Sequence, residues 1–213
     1  MNLFRLIGDL SHLASIFILI QKIIKSRSAR GISFKTQVLY VVVFLTRYVD
    51  LVTGPYISLY NTAMKVFFIA SSAYIVYLMH FKYKPTQDPA IDTFKVEYLL
   101  APCALLSLVF NYKFTVVEVL WAFSIYLEAV AVFPQLFMLH RTGEAETITT
   151  HYLFALGLYR AMYIPNWIYR YMTEDTVDPI AIISGIIQTG LYGDFFYIYF
   201  TRVMRGQKFE LPA

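Results

Sequence analysis

Residues 115–139 read TVVEVLWAFSIYLEAVAVFPQLFML. As a helix rising about 1.5 Å per residue, this run reaches about 37 Å, more than the roughly 30 Å hydrocarbon core of a bilayer. Its only charges are Glu118 and Glu128. Glu118, Trp121, Ile125 and Glu128 follow i, i+3, i+7 and i+10, so they share one face of the helix. The run therefore predicts a membrane-spanning helix with one polar stripe turned away from lipid.

Working outward, comparable apolar segments recur at 3–22, 33–52, 57–80, 97–111, 149–171 and 180–202. The 97–111 segment is short and interrupted by Pro102. Of 213 residues, 58% are apolar and 15% charged, against about 25% charged in an ordinary soluble domain. The expectation is one integral membrane domain over 1–213, with 203–213 as a short cytosolic tail. The first segment is expected to be a span and not a cleaved leader. Arg5, Asp9 and His12 interrupt it, and its basic cluster follows the apolar run instead of preceding it.

No catalytic residue, cofactor, metal or nucleic-acid partner is expected. Cys103 stands alone in an apolar run, His12, His80, His140 and His151 have no metal-ligand spacing, and neither a phosphate-binding glycine loop nor a nucleophile elbow is present. The lipid bilayer is an expected partner. Basic residues set the orientation. Lys22, Lys25, Arg27, Arg30, Lys35, Lys82, Lys84, Lys95, Arg141, Arg202, Arg205 and Lys208 fall in the first, third and fifth connections and the tail, while the other connections contain only Lys113. The N-terminus is thus expected on the lumenal side and the C-terminus in the cytosol. The acidic connection with Glu174, Asp175 and Asp178 is expected on the lumenal side.

A weak internal repeat sets the expected architecture. Ile18-Leu19-Ile20-Gln21, a loop with Gly31-Ile32-Ser33, and Thr46-Arg47-Tyr48 parallel Val132-Phe133-Pro134-Gln135, a loop with Glu146-Thr147, and Tyr159-Arg160. Gln21 and Gln135 lie 114 positions apart, and Arg47 and Arg160 lie 113 apart. Seven spans in a 3+1+3 arrangement of two parallel three-helix bundles account for this, a PQ-loop or SWEET-like all-α membrane fold with its site between the repeats.

Ionisable groups within spans are costly and mark function. Arg5, Asp9 and His12 form one stripe, Arg47 and Asp50 lie a turn apart beside Tyr48, and Tyr159, Tyr163, Asn166 and Arg170 form another. Arg160, about 100° around the helix from Tyr159, is expected to be structural. Lys65 is expected to snorkel, with no part in the site. Arg5, Arg47, Asp50, Glu118 and Arg170 all belong to the lumenal ends of their spans, whereas His12, Glu128 and Tyr159 lie deeper. Three arginines suited to carboxylates, opposed by Asp50 and Glu118, call for a ligand with about three negative groups and one positive group.

This pattern resembles the KDEL receptor family over essentially the whole chain. The resemblance is specific at Arg47-Tyr48-x-Asp50, Tyr126-Leu127-Glu128, Pro134-Gln135-Leu136-Phe137, Thr142-Gly143-Glu144-Ala145-Glu146-Thr147-Ile148-Thr149-Thr150-His151-Tyr152, Gly157-Leu158-Tyr159-Arg160 and Asn166-Trp167-x-x-Arg170. It implies a receptor, not an enzyme, for the C-terminal Lys-Asp-Glu-Leu signal of escaped endoplasmic-reticulum proteins. Cargo would be captured in the acidic Golgi and returned in COPI vesicles. By resemblance, Arg47 and Tyr48 take the terminal carboxylate, Arg5 and Arg170 the acidic side chains, and Asp50, Glu118 and Trp121 the lysine. Tyr159, Tyr163, Asn166 and Trp167 line the pocket. His12 would be the pH sensor, in the range where histidine ordinarily titrates. A Glu128–Tyr159 hydrogen bond would support the bound state, and Asp194 would serve coupling. Arg202, Arg205 and Lys208 would serve sorting through the COPI coat.

The chain departs from the family at Gly54-Pro55, where Ser is usual. It departs again at Arg205-Gly206-Gln207-Lys208-Phe209-Glu210, in place of a lysine-rich run. Gln207 weakens the basic signal, and Glu210 replaces a hydroxyl-bearing residue with a fixed charge. The alternative, a sugar or amino-acid transporter of the same 3+1+3 layout, fits less well, because a neutral sugar has no use for three arginines.

Overall fold

A computed structural model describes residues 2–174 and 177–210. Asp175 and the last three residues of the expected 203–213 tail lie outside the described residues. Helix dominates: α1 (Leu3–Ser26), α2 (Phe34–Arg47), α3 (Asp50–Thr53), α4 (Leu59–Tyr77, continued by a π-turn over Leu78–Lys82), α5 (Glu97–Val109), α6 (Val116–Val130), α7 (Phe133–Thr142), α8 (Thr147–Glu174), α9 (Pro179–Leu191) and α10 (Gly193–Thr201). Among the described residues, the only strand is a two-residue pair, β1 (Glu144–Ala145) antiparallel to β2 (Phe209–Glu210).

Short polar side chains start the helices where the sequence supplies them. Asn2, Ser33, Ser58, Thr115 and Asp178 each accept a hydrogen bond from a backbone N–H in the first turn, relieving donors that have no partner within the helix. Arg27 and Gly143, both at positive φ, turn the chain out of α1 and α7.

The stretches Leu3–Ser26, Phe34–Thr53, Leu59–Lys82 and Val116–Thr142 are long and apolar enough to cross a membrane. Helix α8 has 28 residues and is long enough by rise, but Arg160, Asn166 and Arg170 lower its hydropathy. Helix α5 has only 13 residues, shorter than the roughly 20 that a perpendicular crossing needs.

Polarity is inverted relative to a soluble protein. Leu10, Phe17, Leu45, Val66, Leu105, Ile183, Ile186 and Phe200 point outward, while His12, Ser124, Glu128, Gln135, Asn166 and Gln188 are buried. Outward apolar faces around a polar interior are the arrangement that lipid requires. The chain is a helical membrane protein.

Helix α1 packs along α8, and α2 along α6, with α4 against α2 and α9 against both α6 and α8. Helix α5 lies on α6. Ile16, Leu19, Ile23, Leu39, Val43, Leu127, Leu153 and Leu156 fill the interior between these pairs. Gly157 lets α8 approach α10: a Cβ there would sit 2.7 Å from both Phe196 Cζ and Tyr192 Cδ1. Tyr192 is fully buried and has no room to yield. Gly157→Ala is expected to cost about 1–3 kcal/mol of stability, as overpacking does. Thermal unfolding in detergent tests this, and an unchanged midpoint would show that the contact yields.

Three expected rods are broken. The 115–139 run stops at Val130 and resumes at Phe133, because Pro134 has no N–H for the helical ladder. The freed Gln135 N–H donates to Thr36 Oγ1 at 3.0 Å. Gln135 Oε1 accepts from Ser33 N at 2.7 Å, and its Nε2 donates to the Gly31 carbonyl at 3.0 Å. The end of α6–α7 is thereby tied to the α1–α2 loop. The return tie comes from Lys22, whose Nζ donates to the Arg30 carbonyl and lies 3.3 Å from Glu146 Oε2 in the α7–α8 loop. The repeat reading paired Gln21 with Gln135. Gln21 is in fact exposed, and buried Lys22 next to it makes the reciprocal crossing.

The second break falls at Tyr192, between α9 and α10. The third separates α2 from α3 at Tyr48–Val49. Arg47 and Asp50, expected a turn apart on one helix, therefore diverge.

Candidate functional site

Two adjoining cavities lie at the end of the bundle formed by the N-termini of α1, α4 and α6 and the C-terminus of α2. There a cavity of about 520 Å³ is lined by Arg5, Asp9, His12, Arg47, Tyr48, Lys65, Phe68, Glu128, Tyr159, Arg160, Tyr163 and Trp167, with Ile57, Ser58, Tyr60, Asn61, Met64, Ile125 and Ala181. Four fixed cations stand there against two carboxylates. A second cavity, of about 460 Å³, adjoins it through Arg47, Tyr48 and Lys65 and continues to Asp50, Tyr112, Val117, Glu118, Trp121 and Asp178. Here three carboxylates face the two shared cations. The site is thus bipolar, cation-rich on one side and acid-rich on the other.

Its floor is a charged cluster. Glu128, 1% exposed, pairs with Arg47 and, at 2.7 Å, with Arg160 Nη2. Arg47 is held further by Ser124, whose Oγ accepts from Nε at 3.1 Å and whose carbonyl accepts from Nη2 at 3.0 Å. Ser124 lies on the stripe of Glu118, Trp121 and Glu128, one turn from each neighbour. That spacing was the signal that could have found it. Arg160 lies over the rings of Tyr159 and Tyr163, 5.0 and 5.9 Å from their centroids. It belongs to the cavity and not merely to the packing. One carboxylate between two guanidinium groups leaves an excess positive charge at the floor.

Above it, the ring of His12 lies between Tyr159 at 4.2 Å and Phe68 at 4.6 Å, nearly parallel to the former. The Tyr159 hydroxyl has no hydrogen-bond partner among the described residues. Asp9, absent from the expected ligand set, accepts from the Tyr163 hydroxyl at 2.6 Å and lies 3.8 Å from Arg5 Nε. Trp167 lies against Gly185, where any Cβ would strike its ring.

In the acid-rich cavity, Lys65 Nζ is on Asp50 Oδ2 and lies 5.8 Å from the centre of the Tyr48 ring. Asp50 Oδ1 and Glu118 Oε1 are buried atoms without a hydrogen-bond partner among the described residues. The Trp121 ring lies 6.0 Å from that of Tyr112, and the Tyr112 hydroxyl donates to Asp178 Oδ1 at 2.7 Å. Inward-turned carboxylate oxygens beside aromatic faces suit an ammonium group.

The structure therefore brings together Arg5, His12, Arg47, Tyr48, Asp50, Glu118, Trp121, Glu128, Tyr159, Tyr163 and Trp167. Asn166 is buried beside them and accepts from Asn2 Nδ2 at 2.8 Å, so it ties α8 to the start of α1 and does not line either cavity. Arg170 is half-buried and pairs with Glu174 at 2.8 Å, outside both cavity walls. Asp194 is exposed just after the α9–α10 break.

Residues 28–170 match the family described as ER lumen protein retaining receptor. Over the full length of both chains, this one is 62% identical to the ER lumen protein-retaining receptor of Drosophila melanogaster. It is 59% and 58% identical to ER lumen protein-retaining receptor 2 of Gallus gallus and Homo sapiens, again over both full lengths. The chain belongs to this family. As an ER lumen protein retaining receptor, it is a multi-pass membrane protein of the secretory pathway. Its tail is folded back in this structure. Phe209 is buried and stacks on Phe195 at 5.2 Å, and Arg202 lies 3.6 Å from Glu210, one of the family departures. Lys208 lines a third cavity with Arg30, Asp88, Glu144 and Glu146 at the opposite end of the bundle, and Arg205 is exposed nearby.

Proposed function

We propose that this chain binds the C-terminal Lys-Asp-Glu-Leu-type signal of escaped lumenal proteins in the Golgi and returns them to the endoplasmic reticulum. The bipolar cavity carries this reading. A signal with three carboxylates and one ammonium places its negative groups among Arg5, Arg47 and Arg160 and its lysine between Asp50, Glu118 and Trp121. Arg47 takes the terminal carboxylate, with Tyr48 beside it, while Tyr159, Tyr163 and Trp167 wall the peptide. Arg170, at the rim of the bundle, meets an acidic side chain as the peptide enters, and Asn166 holds the α8 wall in place.

Seven spans in two parallel three-helix bundles joined by α5 support this arrangement. The reciprocal α1–α8 and α2–α6 packing is what a two-fold swap of the halves produces. The cavities open to the lumen, and the basic loops and the tail, with Arg202, Arg205 and Lys208, face the cytosol. There the occupied receptor engages the COPI coat. Asp194, next to the helix break at Tyr192, lies where movement of α10 is passed to that face.

The signal's net charge of about −2 favours a site that takes up a proton with it, so binding tightens as pH falls and loosens as pH rises. His12, faced by Glu128, Arg47, Arg160 and Tyr159, is the group assigned to this uptake. Tetrapeptide-signal binding to the purified receptor should be stronger at pH 5.5 than at 7.4, and His12→Ala should flatten the profile. Absence of binding at both pH values overturns the reading. An unaltered slope in His12→Ala moves the proton to a carboxylate instead.

A further inference from the structure

Lys65 is the one fixed cation of the site with no part in the ligand scheme above. We infer that it is an internal stand-in for the signal's ammonium group, holding Asp50 in the peptide-free receptor and so limiting how strongly the site prefers a cationic head residue. The inference rests on the retrieval-receptor reading.

Lys65 projects from the second turn of α4. A snorkelling lysine carries its ammonium out to the interface. This one does the reverse: its side chain is 14% exposed and its Nζ meets Asp50 Oδ2 beneath the Tyr48 ring. It lines the cation-rich and the acid-rich cavities alike. It therefore stands at the place where an incoming ammonium passes from one polarity to the other.

The remaining acceptors are arranged for a second cation. Asp50 Oδ1 and Glu118 Oε1 face inward without a partner among the described residues. A neutral-headed signal leaves the Lys65–Asp50 pair intact. A lysine-headed signal must either displace Lys65 or sit beside it, and like charges a few ångströms apart in a partly desolvated site repel strongly. Displaced from Asp50, Lys65 has the ligand's own carboxylates as new partners in the adjoining cavity. The acid-rich cavity is thus kept from accepting a cation that arrives without negative groups.

The test compares two peptides that end in the same Asp-Glu-Leu, one headed by Lys and one by Gln. Their affinities are measured on the wild-type receptor and on Lys65→Met and Lys65→Arg. The Lys-to-Gln preference should widen about tenfold in Lys65→Met and stay within about twofold of wild type in Lys65→Arg. Lys65→Gln replaces the Met variant should that one not fold, since it retains a donor for Asp50. A preference unchanged in the neutral variant overturns the inference. So does an equal loss of both peptides by folded protein, which would assign Lys65 to the ligand's carboxylates. Failure of the wild-type receptor to bind either peptide would instead sink the retrieval-receptor reading itself.

Discussion

Glu128→Gln is expected to destabilise the receptor by about 3–5 kcal/mol, the usual result of removing one partner of a buried ion pair. The cost is that of two stranded cations. Arg47 and Arg160 both converge on this one carboxylate, which is 1% exposed, and their own side chains are 14% and 7% exposed. Glutamine matches the shape and keeps a hydrogen-bonding oxygen, so lost packing cannot explain the effect. Removing one of the stranded charges should recover much of the loss. The double variant Glu128→Gln/Arg160→Met is therefore expected to unfold at a higher temperature than Glu128→Gln alone. A single variant as stable as the parent would mean that the two guanidinium groups are compensated elsewhere.

Arg47→Lys should weaken signal binding about ten- to a hundredfold although the charge is kept, because a charge-assisted contact to a carboxylate is worth about 1.5–3 kcal/mol. The geometry gives the reason. Nε and Nη2 are committed to Ser124, which fixes the plane of the guanidinium, while Nη1 points at Glu128. An ammonium group has no such plane and cannot hold Ser124 and a ligand carboxylate in one fork. Amidating the C-terminus of the peptide should do comparable harm to wild-type binding. Equal affinity for the amidated and free-acid peptides would remove Arg47 from the terminal carboxylate.

The positions of the helices were legible because long apolar runs bounded by Ser33, Ser58, Thr115 and Asp178 leave little else for the backbone to do. Where the rods break was less so. Pro134 signals one break in the sequence, whereas the turn at Tyr48–Val49 carries neither proline nor glycine. Helical spacing did place Arg5, Asp9 and His12 on one cavity wall. It could not say who pairs with whom. Spacing set Arg47 a turn from Asp50, yet Arg47 reaches Glu128, 81 positions away, and Asp50 meets Lys65. Partners so remote in sequence are set by packing between helices, and a single chain's periodicity carries no record of that. The bond from Tyr163 to Asp9 spans 154 positions and was invisible for the same reason. The slip from Gln21 to Lys22 has another cause, since one residue moves a side chain about 100° around a helix.

The crossed ties of Gln135 and Lys22 have a mechanical consequence. Each half of the chain grips the loop of the other, and both grips lie at the end away from the bipolar cavity. At the cavity end, the contacts between halves include the Arg47–Glu128 pair and the Tyr163–Asp9 bond, polar contacts that a charged guest could exchange, beside the stacking of His12 on Tyr159. A guest that exchanged the polar contacts would loosen the cavity end while the Gln135 and Lys22 grips stayed in place. Helix α1, at 24 residues, is an arm about 36 Å long, so a rotation of about 5° at the gripped end carries the cavity end about 3 Å.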